Sequence, residues 1–337
     1  MRTIPRLLAS LALIILNDRP QRCSYGDTVT THVSRSDAST PMATHEACWI
    51  FTHMPKSGGF TIQSLLKAYA RSHDVSLGRY DTENWLKGNE FARSFLNDHA
   101  LIGGGYTDGL RPHGGQHCKW FTMFRHPIPR LVSAYFYCKR APKDQLCAAG
   151  VLSARDIDFR SFARHWSNFG LRQFAQAFVL QDDVLGYKPD SEICISDEPR
   201  ICPGWVKIKA YFEQQQPATR EGWPPGTEIL DDLGMYHILK PVEAMLSANY
   251  TAVGILEQWD ASMALFTKAL QLPGWDWEIA FKEMGAKNAN GAYRTEADQV
   301  LAEAWSDPEV REIIWLDILL YDSAVAIFKK QIAEYIV

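Results

Sequence analysis

A lysine and two glycines separate a short apolar run from an amphipathic one in His53-Met54-Pro55-Lys56-Ser57-Gly58-Gly59-Phe60-Thr61. The run before them, Cys48 to Thr52, is strand-like, and the one after, Ile62 to Ala70, has the pattern of a helix. A glycine-rich turn from strand into helix gathers backbone N–H groups around a phosphate, and Lys56 adds a cation. The order differs from the nucleotide-triphosphate loop G-x-x-x-x-G-K-[ST], whose lysine follows its glycines. A lysine ahead of the glycines would lie beside the terminal group of a bound phosphate chain and could neutralise charge on a leaving oxygen. That is the chemistry of group transfer from an anhydride.

A second cue follows at Phe124-Arg125-His126-Pro127. Arg125 ends the strand-like run Lys119 to Phe124, and Ser133 lies eight residues on, inside the amphipathic stretch Ile128 to Tyr137. Eight residues is just over two helical turns. A strand-end guanidinium and a hydroxyl from the next helix could therefore grip one phosphate from two sides. Pro127 suits a helix start, where its missing N–H is harmless. Arg130, one turn before Ser133, either supports the same phosphate or faces solvent. Alone, the first cue reads as an ordinary polar turn and the second as an ordinary strand end. Both together, in this order and each at a strand-to-helix junction, predict a site for a doubly phosphorylated nucleotide.

The runs at 53–61 and 125–135 resemble the two cofactor motifs of sulfotransferases that use 3′-phosphoadenosine 5′-phosphosulfate (PAPS), closest to the heparan sulfate 2-O and 6-O type. Val253 to Asp260 is similar to that family's late strand and turn, and Leu316 to Asp322 to its C-terminal helix, so the resemblance spans roughly residues 46–330. It implies that Lys56, Ser57, Gly58, Gly59, Phe60 and Thr61 hold the 5′-phosphosulfate, and Arg125 with Ser133 the 3′-phosphate. It also implies a late polar loop over the cofactor, here Lys287 to Arg294, with Asn288, Tyr293 and Arg294 as its contacts. PAPS is then a donor co-substrate, the acceptor a hydroxyl, first of all on a glycan, and no metal is required. Where the family often has aspartate after the arginine stands His126, which would orient Arg125 rather than do chemistry.

At the catalytic base the chain departs from the family pattern. Relatives of the 2-O type place a histidine ahead of the second motif, where this chain reads His99-Ala100-Leu101-Ile102-Gly103-Gly104-Gly105-Tyr106, with glycine at the corresponding position 105. The remaining candidates are His113, His117 and His53, since histidine titrates near working pH, or a carboxylate elsewhere. The bland alternatives are solvated side chains in a Gly-rich loop for His113 and His117, and a packing or hydrogen-bonding place near the cofactor for His53. A nucleotide or sugar kinase and a non-catalytic relative that binds PAPS or its product are the rival readings.

These residues need a scaffold. Cys48 to Thr52, His99 to Ile102, Lys119 to Phe124 and Thr251 to Leu256 read as strands, and 61–72, 128–138, 159–180 and 260–271 as helices. Alternation of this kind predicts an α/β fold: a single P-loop-like three-layer domain with a central parallel β-sheet flanked by helices. Ligands of such sheets gather at the carboxyl ends of the strands, where both cues lie. Asp307-Pro308 predicts a helix start, and Val310 to Ile336 one long helix. The proline-containing stretch 181–234 reads as an irregular insertion within a catalytic domain of residues 46–337.

The chain has 337 residues, 46% of them hydrophobic, which suffices for one large core. A net charge of -4 gives no support for nucleic-acid binding. Residues 1–22 carry Arg2 and Arg6 before a ten-residue apolar run, Leu7 to Leu16. That run is too short to span a bilayer, which takes about 20 residues, and reads as a signal peptide or a short membrane anchor. Residues 23–45 read as a flexible stem. Seven cysteines fit an oxidising lumen: Cys138 with Cys147 and Cys194 with Cys202 bracket short loops, Cys48 and Cys118 are either neighbours or buried small hydrophobes, and Cys23 is odd. No C-x-x-C spacing occurs, which argues against structural zinc. Asn249-Tyr250-Thr251 is a glycosylation sequon. The expected location is the secretory pathway, in the Golgi lumen or membrane, or outside the cell.

Overall fold

A computed structural model describes residues 47–81, 84, 87, 89–142, 147, 154–171, 173–174, 232–285 and 294–336. The leader and stem, Cys23, Cys194, Cys202, Asn288, Tyr293 and nearly all of the insertion lie outside the described residues.

Five parallel strands form one sheet in the order β2-β3-β1-β4-β5: β1 (Trp49–Thr52), β2 (Leu77–Arg79), β3 (Leu101–Gly104), β4 (Lys119–Phe124) and β5 (Tyr250–Ile255). The fold is α/β as expected. β3 starts two residues later than its apolar run suggested, since His99 and Ala100 precede it, and Ala100 lends its carbonyl to the Trp49 amide. β5 begins and ends one residue earlier than Thr251 to Leu256. β2 has no counterpart in the sequence reading, because three residues with a central glycine make no recognisable apolar run.

Successive side chains of a strand point to opposite faces, and both faces of this sheet are covered. On one face Phe51 packs on Phe121 at 5.1 Å, and Phe121 on Phe266 and Trp277 at 5.3 and 5.7 Å. Those last two belong to α6 (Trp259–Leu270) and α7 (Trp277–Met284), numbered after α1 (Gly59–His73), α2 (Asn89–Asp98), α3 (Pro127–Arg140), α4 (Phe159–His165) and α5 (Asp232–Asn249). On the other face Thr52 meets Thr107 of a 3₁₀ segment (Thr107–His113), and Trp120 lies under Arg111 of the same segment. Each large side chain fully buried here stabilises by roughly 1.5 to 3 kcal/mol.

α8 (Arg294–Ser306), α9 (Pro308–Ile313) and α10 (Trp315–Tyr335) complete the chain. Asp307 caps α9 as its Asp-Pro start predicts, accepting the Glu309 amide at 3.0 Å. The single long helix expected from Val310 breaks at Ile314, whose φ of -111° leaves helical geometry. The helix expected over 159–180 is interrupted after His165, where Asn168 turns left-handed at φ 50°, and helical geometry resumes at Phe169. The insertion's last residues, from Asp232, are helical rather than irregular: they open α5.

Among the described residues two disulfides are present. Cys138–Cys147 closes its short loop, and Cys48–Cys118 joins the residues immediately ahead of the register partners Trp49 and Lys119. Two disulfides fit an oxidising compartment, such as the secretory pathway or the extracellular space. Among the described residues no helix is long and apolar enough to cross a membrane. Cys48, His117 and Cys118 cluster closely, but the sulfurs are bonded to each other, so no thiolate is left for a metal.

Candidate functional site

β1 and β4 are neighbours, yet the chain leaves β1 toward β2 and leaves β4 toward β5. Such a reversal opens a crevice at the carboxyl ends of the two strands. Both sequence cues enter it.

After β1, the His53 amide binds the Gly104 carbonyl at 2.9 Å and the Ser57 amide folds back on Met54 at 3.3 Å. Lys56 and Gly58 are left-handed, at φ 67° and 80°. Position 58 also lacks space, since a Cβ there would stand 2.9 Å from Leu256. The amides of Thr61 and Ile62 both close on the Gly58 carbonyl. Gly59 and Phe60 precede them as the first residues of α1, whose opening N–H groups have no acceptor within the helix. Ser57 is fully buried with its hydroxyl unpartnered, while Phe60 stands 65% exposed at the rim.

After β4, the Arg125 guanidinium donates through Nη1 to the main-chain carbonyl of Lys56 at 3.3 Å. The Lys56 ammonium in turn lies 4.0 Å from the ring centre of Tyr137 on α3. Ser133 is one turn before Tyr137, so the two share a helix face, and both are half-buried. Lys56 and Arg125 thus meet at the crevice, and Ser133 lies on the α3 face whose Tyr137 receives the Lys56 charge. Burial lowers the Arg125 pKa, opposed by the negative charge of Glu257.

Glu257 follows β5 and fixes this junction, accepting the His126 amide at 2.9 Å and the Tyr321 hydroxyl at 3.1 Å. The His126 ring accepts the Ile128 amide as the cap of α3 and packs between Trp305 and Tyr321, so it shapes the helix start beside Arg125. Arg130 does not face solvent. It is buried and ion-paired with Asp317 of α10, which also accepts the amides of Gly170 and Leu171 at 3.2 and 2.8 Å.

Of the three histidine candidates only His53 stands beside Lys56. His117 is exposed ahead of β4, six strand residues from Arg125, which is roughly 20 Å at the rise of a strand. His113 ends the 3₁₀ segment, whose continuation at Gly115 binds Trp120 near the amino end of β4, and burial with Arg93 lowers its pKa. Gly103 to Gly105 bring no side chain. At Gly104 a Cβ would collide with the Tyr80 carbonyl at 1.8 Å, whereas at Gly105 the nearest atom is Gln173 Nε2 at 3.8 Å.

Sequence reasoning missed Tyr137, Gln173 and Glu257. Gln173 donates to the carbonyls of His53 and Gly105 at 2.8 and 3.2 Å, tying the ends of β1 and β3 together. A lone polar residue in a helical stretch gives no signal of such a task. Arg294 opens α8, while Asn288 and Tyr293 lie outside the described residues. The chain matches no protein-family model and no curated protein.

Proposed function

We propose that the crevice binds PAPS and that the protein transfers its sulfuryl group to an acceptor hydroxyl, on a glycan in the first instance. The observation that carries this reading is the Arg125 to Lys56 contact at the carboxyl ends of β1 and β4. On this reading the two cues are two halves of one anion site, one for each phosphate of a 3′,5′-substituted nucleotide. In the reaction the acceptor oxygen bonds to sulfur as the bond from sulfur to the 5′-phosphate oxygen breaks. The electron pair leaves on adenosine 3′,5′-bisphosphate, and the hydroxyl proton passes to a base. Lys56 would neutralise the departing phosphate oxygen, and the α1 amides would hold the phosphate in line, so that positioning and electrostatics supply the catalysis.

A lysine placed before its glycines and an arginine at the second strand end favour this donor over ATP. The decisive experiment transfers labelled sulfate from PAPS over polysaccharides, phenols and peptides. Transfer to any of them supports the reading, and its absence, with magnesium-dependent use of ATP instead, overturns it. The bare Gly103 to Gly105 stretch favours one second reading, a non-catalytic PAPS-binding protein. Binding of adenosine 3′,5′-bisphosphate without turnover would select it. The oxidising compartment is in our reading the Golgi, where the exposed Asn249 could also be glycosylated.

A further inference from the structure

His53 follows β1, partly buried beside Lys56, and its surroundings assign it a part other than proton acceptor. Its Cδ2–Nε2 edge occupies the place where a Cβ at position 59 would go, 2.2 Å from Nε2, so the imidazole lies directly on the first residue of α1. Its Nδ1 is 3.4 Å from the amide nitrogen of Gln63, one turn along that helix. An amide nitrogen can only donate, so Nδ1 accepts, and a neutral imidazole whose Nδ1 accepts carries its proton on Nε2. The Phe51 ring stacks nearby, and Gln173 holds the His53 carbonyl, which fixes the residue from both sides.

We infer that His53 is a neutral hydrogen-bond donor to the ligand, presenting Nε2–H beside the α1 amides to a non-bridging oxygen of the 5′-phosphate group. The inference rests on the reading of the crevice as a nucleotide site and assigns that site one more contact. It also explains why residue 59 has no side chain: a Cβ would displace the donor. Burial and the positive charges of Arg79 and Lys56 lower the His53 pKa to about 4, which keeps the ring uncharged. A neutral donor beside Lys56 adds a hydrogen bond without adding a second cation for the site to bear, as a histidinium would.

The test combines tautomer and binding. Two-bond ¹⁵N–¹H correlation spectra of the full chain, with His53 assigned by comparison with His53→Gln, should show the Nε2–H form from about pH 5 to 8. By calorimetry, His53→Ala should bind adenosine 3′,5′-bisphosphate about tenfold more weakly yet bind adenosine 3′-monophosphate like the parent. His53→Gln, which keeps an N–H, should recover most of the loss. An Nδ1–H tautomer, an unchanged affinity in His53→Ala, or an equal loss for both nucleotides would each overturn the inference while leaving the nucleotide site standing. Failure of the parent chain to bind either nucleotide would instead overturn the site reading, and the His53 contact with it.

Discussion

The Arg125 guanidinium reaches back to the main-chain carbonyl of Lys56, 69 residues earlier in the chain, and so locks the second strand end to the first loop. The same lysine carries its charge over Tyr137, on the helix that Arg125 introduces. Each cue therefore helps to set the geometry of the other.

If the crevice is a PAPS site, Lys56→Ala should lower sulfate transfer at least about a hundredfold, the size of effect seen when one group stabilising a developing oxyanion is removed. Its melting temperature should stay close to the parent's. Arg125→Lys should weaken binding of adenosine 3′,5′-bisphosphate about tenfold, because one ammonium cannot replace a guanidinium fork. Adenosine 5′-monophosphate, which lacks the 3′-phosphate, should be affected far less; titration calorimetry distinguishes the two ligands.

Asp317→Leu should destabilise the domain by about 3 to 5 kcal/mol, since it leaves a buried guanidinium uncompensated. The pair is 5% and 3% exposed, so water cannot take over either role. Adding Arg130→Met should recover only part of the loss, because Asp317 also holds the Gly170 and Leu171 amides. Urea unfolding of the single and double variants measures both quantities.

Neighbouring glycines should respond in opposite ways. Gly104→Ala drives a methyl group into the Tyr80 backbone and should prevent stable folding, whereas Gly105→Ala meets nothing closer than 3.8 Å and should fold normally. Gly105→His then becomes a direct test of the absent base. If the crevice is a PAPS site, this variant should raise sulfate transfer above the parent's level; a folded variant with no gain would show that position 105 does not serve the acceptor.

Stability should fall with acid through His53. Its folded pKa of about 4 lies below the ordinary value of 6.5, so the unfolded chain takes up the proton first. The stabilisation is complete above pH 6.5 and is lost as pH falls toward 4, at up to about 1.4 kcal/mol per pH unit and on the order of 3 kcal/mol in all. His53→Gln removes this titration and should flatten the decline between neutral and acid pH in denaturant unfolding. His113 and His126, also lowered by burial, still titrate in the variant and leave it a smaller slope of the same sign.

Local pattern was enough where chemistry and burial coincide along the chain. Lys119 to Phe124 is a strand at the predicted bounds because every residue after Lys119 is apolar or, like Thr122, suited to a sheet. Asp307-Pro308 starts a helix because the carboxylate caps it and proline fits its first turn. The pairing of Cys138 with Cys147 followed from a loop that two nearby cysteines could close. β2 could not be read so, since it is a strand only through its bonds to β3. Nor could the break at Ile314, an apolar residue that continues the pattern while its backbone leaves the helix.

The sequence by itself determined which residues could bind phosphate and that each group stands where a strand turns into a helix, because side-chain type and hydrophobic period are local properties. Only the tertiary structure decided which groups share a crevice. Placing β4 beside β1 brings Arg125 onto Lys56 and leaves His117 at the far end of the same strand. The packing of α10 turns Arg130 inward to Asp317, 187 residues away, and the fold of the loop after β1 seats His53 on Gly59. These are contacts set by strand order and helix packing, between residues whose own types and spacings do not name their partners.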